Sequence, residues 1–191
     1  MKIKMKKTLA LASALSMFAL TLTPVFGADV VKFEKPGLIT TIGQSSDIAV
    51  VKALLNNRLK LGLDVKPTAQ PADLAGVKTL VVVLGASTKG LGSAGINLDQ
   101  EKERAQALMK AAKENHVQVL GLHVGGETRR GKTTDDLIEL TICDMKQVVV
   151  VASGNQDKFF NKAAEKCKEV PVTEVPTLVA AGDAVKNLFA E

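Results

Sequence analysis

From residue 38 to the end of the chain, short apolar runs alternate with longer stretches of helical period. Residues 38–42 read as a strand, followed by Gly43-Gln44-Ser45-Ser46-Asp47 and a helix with Ile48, Val51, Leu54, Leu55 and Leu59 on one side, which Ser45 or Ser46 can cap. A short second strand falls at 63–66, and Pro67 and Pro71 enclose a turn. The third strand, 79–84, contains Leu80-Val81-Val82-Val83-Leu84, a continuous apolar run that marks burial on both faces. A loop at 85–95, long for a strand-to-helix connection, leads to a helix at 98–115 that groups Ala105, Leu108, Met109 and Ala112. A fourth strand at 117–124, a helix at 134–144 and a fifth strand at 148–152 follow. The chain then runs through a helix with Phe159, Phe160, Ala163 and Ala164, a weak extended stretch at 170–175 and a closing helix at 177–189.

Strands separated by helices, with uniformly apolar central strands, predict a three-layer, doubly wound α/β fold around a mostly parallel sheet of five or six strands. The short link between the second and third strands favours the flavodoxin-like order 2-1-3-4-5, with any sixth strand at an edge. Residues 28–36 read as an N-terminal extension and 37–191 as one domain, a size suited to one sizeable core.

The first 27 residues read differently. Lys2, Lys4, Lys6 and Lys7 precede a charge-free stretch from Thr8 to Ala28, the pattern of a secretory signal peptide, with Val25 and Gly27 small enough for cleavage ahead of Ala28. Ser13, Ser16, Thr21, Thr23 and Pro24 weaken the alternative of a retained membrane anchor. The expected location is therefore secreted or extracytoplasmic, in a bacterial cell envelope, with no stable membrane span after cleavage.

This leader changes the charge argument. The full chain has 25 Lys and Arg against 20 Asp and Glu; without the four leader lysines the difference falls from +5 to +1. A net positive field for nucleic acid loses its support, and with no Trp or Tyr there is little to stack on bases. Cys143 and Cys167 permit one disulfide in an exported chain. Cys167 also continues the apolar series of Phe160 and Ala163, which reads better as a small core residue than as half of a bridge.

In an open parallel sheet, ligands bind beyond the carboxyl ends of the strands, and four loops there are rich in Gly, Ser, Thr and Arg. From the first, Gly43, Gln44, Ser45 and Ser46 are candidates; from the second, Ser87, Thr88, Lys89 and Gly90. From the third come His123, Gly125, Gly126, Arg129, Arg130 and Lys132, and from the fourth Ser153 and Asn155. Glycine admits close backbone approach, helix starts offer N–H donors, and guanidinium groups match planar anions, so the loops suit a phosphate, sulfate or carboxylate. Arg129 and Arg130 can equally pair with Asp135 and Asp136, and Asp47 and Asp157 read as first-turn residues facing helix dipoles. No Walker loop, dinucleotide fingerprint, Gly-x-Ser-x-Gly elbow or metal-ligand spacing is present, so no cofactor, metal or catalytic residue is assigned.

The segments Gly43-Gln44-Ser45-Ser46-Asp47, Gly85-Ala86-Ser87-Thr88-Lys89-Gly90-Leu91-Gly92, Gly125-Gly126-Glu127-Thr128-Arg129-Arg130-Gly131 and Ser153-Gly154-Asn155 together resemble a family of exported bacterial proteins classed only as a domain of unknown function. The likeness spans roughly 36–175 and implies no catalytic residue. The leading expectation is an extracytoplasmic domain, more readily non-enzymatic than an enzyme, that binds a small polar, anionic molecule at the loop pole. The alternatives are a hydrolase or transferase centred on His123 with a loop serine, and an interaction module of the cell envelope.

Overall fold

The computed structural model describes residues 32–168 and 170–189; the leader expectation, with its cleavage point, lies outside them. Six parallel strands form one sheet in the order β2-β1-β3-β4-β5-β6. They are β1 (Gly37–Ile42), β2 (Asp64–Val65), β3 (Thr79–Leu84), β4 (Gln118–His123), β5 (Gln147–Val151) and β6 (Val172–Val175). The flavodoxin-like arrangement expected from the connections is thus present, with β6 added at the edge beside β5.

Side-chain alternation along β3 explains the two cores. Leu80, Val82 and Leu84 point to one face and join Leu108 and Met109 of α3 (Leu98–Glu114), Leu137 and Ile138 of α4 (Lys132–Thr141), and Phe160 of α5 (Phe159–Glu165). Val81 and Val83 point to the other face, against Val51 of α1 (Asp47–Lys52), Leu54 and Leu55 of its π-helical continuation (Ala53–Arg58), and Val185 of α6 (Leu178–Leu188). All six β3 residues are buried, and each Leu or Val so placed contributes about 1.5–3 kcal/mol. Phe33, in the stretch that reads as an extension, is fully buried and bridges to Phe189, so that segment closes one end of the second core.

Two local differences from the pattern have clear causes. The long loop 85–95 contains a short helix, α2 (Thr88–Ser93), started by Ser87, whose hydroxyl accepts the Gly90 N–H at 3.0 Å; four glycines in this stretch hide the helical period. The sulfurs of Cys143 and Cys167 are bonded, with Cα atoms 5.1 Å apart. This corrects the preference for a buried free thiol: Cys143 lies in an exposed turn after α4, and Cys167 just past the end of α5, where the apolar stripe meets solvent.

Candidate functional site

The β1 and β3 register, from Gly37 opposite Thr79 to Ile42 opposite Leu84, ends both strands at the same level. Their exit loops therefore meet. Ser87 N–H donates to the Gly43 carbonyl at 2.8 Å, Gln44 bridges to Ala86, and Gly43, at φ +97°, leaves no room for a side chain against the Gly85 and Ala86 backbone. Gln44 also takes a positive φ, a conformation uncommon for a residue with a side chain.

A buried ion pair holds this turn. Glu101 is fully buried and accepts from Gly43 N–H at 2.7 Å, Gln44 Nε2 at 3.2 Å and Arg104 Nε at 2.8 Å. Arg104 spends its other donors on the Ala69 and Thr41 carbonyls. The partners that offset the cost of burying these charges thus come from α3, the end of β1 and the loops beside them.

The third loop is anchored to the first. Arg129 donates through Nε to Asp47 at 3.2 Å and through Nη2 to the Ser46 hydroxyl at 3.0 Å. Gly125 lies flush against Arg129 and Asp47, where a Cβ would collide with both. Asp47 Oδ2 is the one buried side-chain polar atom without a hydrogen-bond partner among the described residues.

Arg130 is held more completely. Its guanidinium makes two bonds to Asp135 and two to Asp157, donates to the Gly154 carbonyl, and stacks 4.4 Å from the Phe159 ring centroid. Hydrogen bonds that it donates to Asp135 first, and to Asp157, raise its pKa further, while Arg130 holds the Asp157 carboxyl below its usual range. Asn155 is buried as well, donating to Asn161 and Glu174 and accepting from Phe160 N–H.

His123 is fully buried at the end of β4, beside the Phe160 ring. Nδ1 faces the Leu84 carbonyl at 2.9 Å and Nε2 the Gly126 carbonyl at 3.1 Å; a neutral ring can donate to only one of them. Burial outweighs the pull of both carbonyls and lowers the imidazole pKa. Gly154 packs over the ring, since a Cβ there would stand 2.7 Å from Nε2.

All four loops come together at the carboxyl pole, but the candidate residues divide among several settings. Gln44, Ser45, Ser46, Ser87, Lys89, Gly90 and Arg129 line a hollow of about 600 Å³ over the ends of β1 and β3, with Pro67 on its far side. Arg130 and Ser153 line a smaller one of about 310 Å³ between the third and fourth loops. His123 and Asn155 lie beneath the surface, Gly125 and Gly126 serve loop packing, and Thr88 is an exposed first residue of α2. Among the described residues no group of three or more His, Cys, Asp or Glu could hold a metal ion, and no helix is long and apolar enough to cross a membrane.

Glu101 and Arg104 are absent from the sequence-based candidates. Their signal was present: at i and i+3 they precede Ala105, Leu108 and Ala112 on the apolar stripe of α3, where charges of opposite sign imply a buried pair.

Layer order and strand order make this a flavodoxin-like α/β protein. Over residues 34–189 the chain matches the family described as a domain of unknown function, DUF6305, and it belongs to that family. No curated protein and no solved structure matches it.

Proposed function

We propose that the protein is an extracytoplasmic binding domain that takes a small anionic molecule in the 600 Å³ hollow over β1 and β3. The observation that carries this reading is one unbalanced lysine at its rim, beside an arginine that is paired with Asp47 but not saturated. Lys89 is exposed and pairs with no carboxylate among the described residues, and Arg129 keeps Nη1 free of any recorded acceptor. The hydroxyls of Ser46 and Ser87 add donors, the volume suits a small metabolite, and the place is the switch point where doubly wound sheets bind ligands. The signal pattern and the disulfide support the compartment.

Arg130 is left out of this site because its donors are spent internally, and His123 because both ring nitrogens face carbonyls rather than a serine hydroxyl. A thermal-shift panel of carboxylates, phosphorylated compounds and nucleotides tests the reading. A ligand at about one hundred times its Kd stabilises by about 2.7 kcal/mol, or about 5–10 °C here. Lys89→Ala and Arg129→Gln should abolish the ligand-induced shift, whereas Arg130→Ala should lower the melting temperature but preserve it. A panel with no stabilising compound, or a shift untouched by Lys89→Ala and Arg129→Gln, refutes the site.

A further inference from the structure

We propose that the opposite pole, at the amino ends of the strands, docks on an anionic lipid surface. In an all-parallel sheet every strand starts at the same edge, and here each start is preceded within five residues by a lysine. Lys35 precedes β1, Lys60 β2, Lys78 β3, Lys113 β4, Lys146 β5 and Lys168 β6, and all six are exposed. Lys32 and Lys186 lie at the same edge, where they line a concavity with Lys35 and Lys60. A second concavity, about 520 Å³, is lined by Lys113, Lys146 and Lys168.

The two poles treat their cations differently. At the carboxyl pole Lys66, Arg129, Arg130, Lys132 and Lys158 each pair with a carboxylate, and of the cations named there Lys89 does not. None of the strand-start lysines pairs with a described carboxylate, although Asp144 lines the second concavity with them and Glu34 and Asp64 lie near the same edge in the chain. Lys113 and Lys186 sit in the last turns of α3 and α6, where they offset helix dipoles, but Lys35, Lys78 and Lys146 are on no helix.

The chemistry of the face selects the partner. Arg58, nearby in the chain, is paired with Asp183, and the edge aromatics Phe33 and Phe189 are buried, so neither bidentate forks nor stacking platforms are offered. What remains is a spread of ammonium groups that responds to charge density. Exposed lysines gathered on one face are what a membrane with anionic headgroups attracts.

Co-sedimentation of the full chain with vesicles tests this. The wild type should prefer vesicles of phosphatidylcholine mixed with phosphatidylglycerol over phosphatidylcholine alone, and the preference should fade at high salt. Lys35→Glu/Lys78→Glu/Lys146→Glu should weaken binding to the mixed vesicles about a hundredfold. The matched variant Lys52→Glu/Lys102→Glu/Lys162→Glu should retain it. Lys2, Lys4, Lys6 and Lys7 are common to all three chains, so the difference belongs to the face. If circular dichroism shows that the first variant does not fold, glutamine at the same three positions replaces it. Equal loss in the matched variant, equal binding to both vesicle types, or tight binding of soluble polyphosphate without preference for the mixed vesicles overturns the proposal.

Discussion

Replacing both cysteines by serine is expected to lower the melting temperature by an amount that follows from the loop they close. Cys143 and Cys167 are 24 apart, so the bond closes a loop of about 25 residues in the unfolded chain, and the chain-entropy relation gives about 3.5 kcal/mol of stabilisation. That loop contains all of β5 and α5, and the bond ties the exit of α4 to the exit of α5 on one face of the sheet. Cys143 is exposed, so its replacement opens no cavity there. For a domain of this size the loss corresponds to about 7–14 °C in thermal unfolding followed by circular dichroism. Reductant should lower the wild type by a similar amount and leave the Cys143→Ser/Cys167→Ser variant unchanged. Two titratable thiols in the oxidised wild type would show the bond absent. A variant melting within about 2 °C of a fully bonded wild type would refute the loop argument.

Two further outcomes follow from buried groups. Glu101→Ala strands Arg104 and the Gly43 N–H without their partner and should cost about 3–5 kcal/mol in urea unfolding, whereas a loss below about 1 kcal/mol would mean that the pair behaves as if at the surface. Burial lowers the pKa of His123, so its folded form resists the proton that the unfolded chain accepts; stability should be full above about pH 6.5 and decline as pH falls below it. His123→Asn should flatten urea midpoints over that acidic interval, and an unchanged slope would remove His123 as the cause.

The sheet was legible because its evidence is local and repeated: Leu80 to Leu84 and Val148 to Val151 can only be strands buried on both sides, and the connection lengths do the rest. The convergence of four loops on one pole follows from that topology alone. What each loop residue does there was not legible. Arg130 does pair with Asp135, as its spacing offered, but its second carboxylate, Asp157, lies 27 positions away, and Arg129 turns instead to Asp47, distances that no local pattern reports. Glycine was equally ambiguous: its small size at Gly43 and Gly154 admits another loop and an imidazole ring rather than a visitor. The disulfide hid for the opposite reason, because the helical stripe that suggested a core position for Cys167 runs out one turn before it.

The anchoring of the first exit loop by Glu101, and of the second exit loop to the first, bears on kinetics. A rim whose backbone is bonded across from Gly43 to Ser87 and pinned from below has no hinge with which to swing shut. A ligand of the kind proposed would find its walls already set, so its association should run at the pace of encounter, and its residence time should depend on the contacts rather than on a gate reopening.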